Sequence, residues 1–335
     1  MSIELELKFR LPAGALERVR AALQAGDLAG ACGPAAVLRL AACYLDTADR
    51  ALARARAALR VRLEGEVWVQ TLKAEGALPL ERLEHEVRLD APADGPVPAV
   101  DPARHDGHPA GARLRAVLGG GAAAGGAAAL PPLRERYRTD VRRTLRTLRH
   151  QGATIELALD EGWLSAADGQ RRAPIEELEF ELKDGPVAAL LDLCAQWAEA
   201  HGLWLDVRSK SERGHLLAEG LAHSPPPALP AAGAPLAAWL RPLLACASVL
   251  ADGAAAGHHA VWAQAWITAA QGPAVDALQP LRAALESVSS VPGVATEIAP
   301  AAAADPSTLA RALRAPQVQR AWLALLGAAA ARTPD

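Results

Sequence analysis

Lysine is scarce in this chain of 335 residues, while alanine, leucine and arginine are abundant, a bias that reads as GC-rich coding rather than mechanism. Aromatic residues make up only 4%, too few to furnish a row of base-stacking rings. Charge of one sign is also missing: the formal net charge is -3, so no global basic field advertises nucleic acid or an anionic membrane, and any anion site must be local. No apolar run reaches the roughly 18 to 20 residues of a membrane span. The opening Met1–Arg10 segment is charged from Glu4 onward, unlike a secretory leader. Cys32, Cys43, Cys194 and Cys246 are too far apart in sequence for a metal knuckle or a redox pair. They are expected as buried free thiols in a reducing, cytoplasmic setting.

What is present changes character near Ala222. Residues 1–222 are dense in charge, and 223–235 form a proline-rich linker around Pro225-Pro226-Pro227. Residues 236–335 are alanine-rich, helical in pattern and free of lysine, with six arginines balanced by six acids. The Gly/Ala stretch 119–129 is expected as a flexible loop.

Residues 1–222 alternate as strands do, but the polar positions are nearly all ionisable and of both signs. Glu4, Glu6, Lys8 and Arg10 share one face. Arg60, Arg62 and Glu64 share another, followed by the Glu64-Gly65-Glu66 turn and a strand over 67–73 carrying Lys73. Further strands hold Glu84 and Glu86, then residues 137–148, then Glu156 with Asp160. The last and most acidic carries Glu177, Glu179, Glu181 and Lys183. Helices are expected over 12–25, 46–58, 186–201 and 209–221. Asp46-Thr47 supplies the cap of the second and Pro186 fits the first turn of the third.

Neighbouring carboxylates on one strand face repel, and each such pair costs free energy unless a cation lies between. A solvated outer face would tolerate one such strand. Six or seven of them, interleaved with amphipathic helices that must cover apolar faces, fit another arrangement. The expected fold is α+β: a closed antiparallel β-barrel tunnel of about eight strands, apolar outside under helices and charged inside, followed by a small all-α domain. Carboxylates suit Mg²⁺ or Mn²⁺ and basic groups suit phosphate oxygens, so the pattern describes a metal–polyphosphate site.

Glu4-Leu-Glu-Leu-Lys8 is the ExExK signature of the CYTH family, the triphosphate tunnel metalloenzymes. Later blocks follow in the same order: Cys43–Thr47, Leu59–Arg62, Thr71–Lys73, Arg82–Glu86, Ile155–Asp160, Glu177–Glu181 and Ser209–Gly214. The chain resembles this family over residues 1–220, in particular the bacterial inorganic triphosphatases that carry a helical domain after the tunnel. The resemblance implies metal binding by Glu4 and Glu6 with acids among Glu177, Glu179 and Glu181. Glu84, Glu86, Glu156 and Asp160 complete the acidic half. It implies a triphosphate grip by Lys8, Arg60, Arg62, Lys73, Lys183 and Lys210, with Glu4, Glu6, Lys8, Lys73 and Lys210 closest to the chemistry. One of Arg142 and Arg143 faces inward: the family pattern favours Arg143, continuous alternation from Asp140 favours Arg142.

Hydrolysis of inorganic triphosphate to phosphate and pyrophosphate is the leading expectation. A class IV-type adenylate cyclase, or a nucleoside or thiamine triphosphatase, is the alternative on the same tunnel. A non-catalytic polyphosphate-binding module comes third, disfavoured because carboxylates repel phosphate. The tail resembles a CHAD domain in position, but it lacks that module's basic face. It is expected to serve packing or homodimer contacts, with the chemistry confined to residues 1–220. His258-His259 are expected as surface residues, His105 and His108 as bystanders in a polar loop, and Trp239, Trp262, Trp266 and Trp322 as core.

Overall fold

The computed structural model describes residues 3–76, 78–119, 131–253, 256–269, 271–288 and 306–331. The chain runs β1 (Ile3–Arg10), α1 (Leu16–Gln24), β2 (Ala36–Asp46), α2 (Ala51–Arg54), β3 (Ala57–Glu64), β4 (Val67–Glu75) and β5 (Glu81–Leu89). It continues through α3 (Pro109–Gly119), β6 (Arg134–His150), β7 (Ala153–Ala166), β8 (Arg172–Asp184), α4 (Val187–His201), β9 (Trp204–Leu205) and α5 (Lys210–Glu219). The tail supplies α6 (Leu236–Ala251), α7 (Ala256–Ala269), α8 (Ala274–Val288), α9 (Pro306–Arg314) and α10 (Pro316–Ala330). The strands are ordered β5-β4-β3-β2-β6-β7-β8-β1, and β1 also pairs with β5, so eight antiparallel strands close into a barrel. The two-residue β9 extends the sheet beside the end of β1. Apart from Gly119, the expected Gly/Ala loop lies outside the described residues.

Alternation decides what faces where. Leu7 and Phe9 on β1, Leu157 and Leu159 on β7, and Leu178 and Phe180 on β8 point outward, where α1, α4 and the tail cover them. The same core continues without a break into Trp239, Trp262 and Trp322, with Trp266 packed against it. Each of those largely buried rings contributes about 2–3 kcal/mol relative to exposure. A smaller cluster of Leu52, Leu59, Leu72, Leu114 and Leu118 seats α3 on the other side of the barrel.

The tunnel is not polar throughout. At one end Leu40, Tyr44, Tyr137, Val141, Leu164 and Ile175 fill the interior with an apolar plug, and α5 packs onto it. Gly214 permits that approach, since a Cβ there would overlap the Tyr137 ring. Tyr137 stacks on Tyr44 at 4.6 Å and donates its hydroxyl to Ser211 Oγ at 2.9 Å.

Several expectations change. The helix over 46–58 shrinks to Ala51–Arg54, because the chain must turn at Arg56 (φ 52°) to enter β3. Asp46 still caps it from within the barrel, its carboxylate accepting from Leu52 N (2.9 Å) and Ala53 N (3.0 Å). Cys32 is exposed, whereas Cys43, Cys194 and Cys246 are buried. His258 is buried rather than a surface residue.

His105 is no bystander. It is fully enclosed between β4, β5 and α3. The Gln70 amide is oriented by accepting from Asp101 N at 2.9 Å, so its NH₂ donates to His105 Nε2 at 2.9 Å. That fixes the proton of neutral His105 on Nδ1, which donates to His85 Nδ1 at 3.0 Å. Burial, then the neighbouring His85 and His108, push the His105 pKa down to about 4. An unfolded chain therefore binds a proton that the fold refuses between pH 6.5 and 4, so this stabilisation is full above 6.5 and is lost as pH falls. In chemical denaturation, His105→Gln is expected to lose about 2–3 kcal/mol less stability than the native chain between those pH values. Parallel pH profiles for the two proteins would refute this linkage.

Candidate active site

The registers stack acids in layers. Glu6 lies opposite Glu181, which lies opposite Glu156; one step along, Lys8 faces Glu179; one further, Arg10 faces Glu177 and Glu177 faces Asp160. Three adjacent strands thus present a carboxylate ladder to the interior, which is unfavourable unless cations from other elements reach across it. Lys73 and Lys210 do so, together with Arg82, Arg143 and Arg213, while Lys8 and Lys183 stand on β1 and β8 themselves.

The inner half is balanced. Asp160, Glu177 and Glu179 bring carboxylate oxygens within 4.8 Å of one another, a grouping able to hold a metal ion. Lys210, the first residue of α5, is lodged among them, 2.7 Å from Asp160 and 2.8 Å from Glu179 and also paired with Glu177. Arg143 grips Asp160 with two bonds of 2.6 Å and reaches Glu179 at 2.6 Å. Arg213 pairs with Glu177. Burial alone would raise the Glu179 pKa, but Lys210 and Arg143 outweigh it and hold the carboxyl well below its usual range. Lys8 is half-buried, and desolvation pulls its pKa down. Its ammonium donates to the Arg208 carbonyl.

The outer half carries a surplus of negative charge. Lys73 bonds Glu4 at 3.0 Å and also pairs with Glu84. Burial and a hydrogen bond with Glu84, reinforced by the charges of Glu84 and Glu181, push the Glu4 pKa up to about 8 despite Lys73. Glu86 is raised as well, by burial and by Glu84. Lys183 serves Glu181 at 2.7 Å and Glu156 at 3.6 Å, and Arg82 reaches Glu6 at 3.5 Å. A carboxyl that keeps its proton near neutrality marks a place where one more positive charge fits. Glu6, Glu181 and Glu156 stack across β1, β8 and β7, and with Glu4 they form an all-oxygen set of the kind a hard divalent cation takes, whereas the inner trio already holds Lys210.

The wall across from the acids is basic. Arg60 is buried and donates to Tyr44 Oη at 3.1 Å. Arg62 bonds Glu64 and reaches Glu86 at 3.5 Å. A continuous cavity of about 570 Å³ joins Glu6, Lys8, Arg60, Arg62, Lys73, Arg143, Glu179, Glu181 and Lys210, a size usual for a small ligand. Its lining extends beyond residue 220 to Pro225, Pro227, Arg241, Val249 and His258, so the cavity is not confined to residues 1–220.

Arg142 does not join the site. A continuous register carries it to the outer surface, where it meets Glu161 at 3.2 Å, and Arg143 turns inward. Sequence reasoning passed over Arg82 and Arg213, though both sit inside quoted motif blocks, and over Arg208 and Tyr44. An arginine within a charged block carries no sign of which acid it will meet. Arg143→Ala leaves Asp160 and Glu179 short of a cation and is expected to destabilise by about 3–5 kcal/mol, against less than about 0.5 kcal/mol for Arg142→Ala. Equal losses in urea denaturation would contradict the inward assignment of Arg143.

Over 174 residues the chain is 29% identical to the inorganic triphosphatase of Haemophilus influenzae, an alignment covering 52% of this chain and 44% of that protein. The chain thus spans less than half of that relative's length. Among solved structures, a protein from Hippeastrum assigned as an adenylyl cyclase and reported with a dominant triphosphatase activity is 16% identical. It covers 65% of this chain and 96% of its own, at a TM-score of 0.38. The inorganic triphosphatase NE1496 is 18% identical over 60% of this chain and 80% of its own, at a TM-score of 0.21. The CYTH domain model matches residues 2–215, and with the closed, two-signed barrel laid out above, the chain belongs to the CYTH family.

Proposed function

We propose that this protein hydrolyses inorganic triphosphate to phosphate and pyrophosphate with the help of Mg²⁺ or Mn²⁺. The observation that carries this reading is the division of one cavity into a carboxylate wall with a negative surplus and a wall of largely half-buried cations. Simple anion binding has no use for the first wall, and cation storage has none for the second. The name of the Haemophilus influenzae relative points to the same substrate.

Glu4, Glu6, Glu156 and Glu181 would hold the metal, which supplies Lewis-acid neutralisation of phosphate oxygens. Lys8, Arg60, Arg62, Lys73 and Arg143 bind the chain of phosphoryl groups by charge-assisted bonds. Holding the substrate along the tunnel fixes the terminal phosphoryl group in line with a water. The carboxylates of the outer half accept hydrogen bonds from that water and orient it. As the bridging P–O bond breaks, charge grows on the departing pyrophosphate, and Lys8, Arg143 and Lys210 stabilise it.

A nucleoside triphosphate is the second reading, favoured by the apolar part of the lining at Leu221, Pro225, Pro227 and Val249. Inorganic triphosphate is preferred because the only rings among the described lining residues are Tyr44, His215 and His258, and Tyr44 and His215 are packed against Tyr137 in the plug.

Phosphate release is to be compared for inorganic triphosphate, ATP and thiamine triphosphate with Mg²⁺ and with Mn²⁺. Inorganic triphosphate is expected to be the best substrate, with turnover abolished by EDTA and lowered at least about 100-fold in Glu6→Ala. Faster turnover of ATP would transfer the assignment to the second reading. Undiminished activity in Glu6→Ala or in EDTA would sink the metal site.

A further inference from the structure

We infer that the helical tail positions the basic half of the triphosphate site, with Ser248, Asp252 and Gln319 acting as positioning residues for Lys210 and Lys8. This rests on the function proposed above for its meaning, though not for its geometry.

Between α4 and α5 the segment Trp204–Ser209 runs along the end of β1. It is bonded to the barrel on one side only: Leu205 and Trp204 pair with Phe9 and Arg10, and Asp206 N donates to Lys8 O at 2.9 Å. Strand geometry then turns the Leu205 and Val207 amides away from the barrel, where no further strand follows in the sheet order. Buried amides need acceptors. The tail provides both from side chains. Gln319 Oε1 on α10 accepts from Leu205 N at 2.7 Å, and Ser248 Oγ on α6 accepts from Val207 N at 3.1 Å. Both side chains are buried, and each is fixed in turn, Gln319 by donating to Leu313 O at 2.6 Å and Ser248 by donating to Leu244 O at 2.8 Å.

A third tie follows at once. Arg208 is clamped by Asp206, at 3.0 Å through Nε and 2.7 Å through a terminal nitrogen, and by Asp252 at the end of α6. The carbonyl of this same Arg208 receives the Lys8 ammonium. Two residues later Lys210 enters the carboxylate trio from the first turn of α5, whose cap is Ser209 accepting from Glu212 N at 3.0 Å. The tail thus closes the open edge of the segment that carries one lysine into the site and anchors a second. Packing alone would have needed only apolar side chains at 248 and 319.

The chain's four lysines make this measurable without turnover. The full-length protein and its Ser248→Ala/Asp252→Asn variant are to be labelled briefly with an amine-acylating reagent, each lysine being read by mass spectrometry. Labelling of Lys8 and Lys210 is expected to rise at least about fivefold, with Lys73 and Lys183 unchanged, since local release exposes only the groups it held. Ser248→Thr, which keeps the hydroxyl, is expected to label like the native protein. In steady-state assays the double variant is expected to lower kcat for triphosphate about tenfold with KM within about threefold, since Lys8 and Lys210 act on the departing pyrophosphate. A uniform rise at all four lysines, or no rise at any, would overturn the inference and leave the tail a packing element. If the native protein released no phosphate from triphosphate, the proposed function would fall, while the labelling pattern would still decide this point.

Discussion

The constraint on which the rest of the structure depends is the mutual repulsion of carboxylates across β1, β8 and β7. Glu6, Glu181 and Glu156 meet in one layer and Glu177 and Asp160 in another, inside a closed barrel whose low-polarity walls strengthen their repulsion. The fold answers by bringing cations from every other direction: Lys73 from β4, Arg82 from β5, Arg143 from β6, Lys210 and Arg213 from α5. Closure of the barrel is what makes these groups converge, and convergence is what gives an otherwise nearly neutral chain a strongly polar interior.

The balance is unequal along the tunnel. Around Lys210 each acid has a cation at hydrogen-bonding distance, and Lys210 and Arg143 hold the carboxyls of Asp160 and Glu179 below their usual range. Around Glu4 the acids exceed the cations, and Glu4 holds its proton to about pH 8. The same construction thus builds a charge-balanced floor beside a region where Lys73, Lys183 and Arg82 are outnumbered by carboxylates. Such asymmetry fits the proposed metal-assisted phosphoryl transfer: fixed cations would face the leaving group, and the outer carboxylates would hold the divalent ion.

Much of this was legible in the sequence, because period-2 alternation with ionisable residues on one face survives without knowledge of pairing. Glu4, Glu6, Lys8, Glu179 and Lys73 could be assigned to a common interior from parity alone. Arg142 and Arg143 could not be separated, since the choice depends on the phase of a strand seventeen residues long rather than on local pattern. His105 was misjudged because its setting, Gln70 and His85 under α3, is assembled from residues 20 and 35 positions away. The tail was the least readable part. Its polar contribution rests on single buried residues, Ser248 and Gln319, whose partners are backbone amides that leave no trace in composition.

The account stands most directly on whether the Glu4 region binds a divalent cation. Calorimetric titration of Mn²⁺ into the native protein and into Glu4→Gln/Glu181→Gln tests it without any substrate. Saturable binding in the native protein, lost in the double variant while its fold is retained, is the predicted result. Equal Mn²⁺ binding by both proteins would contradict the account.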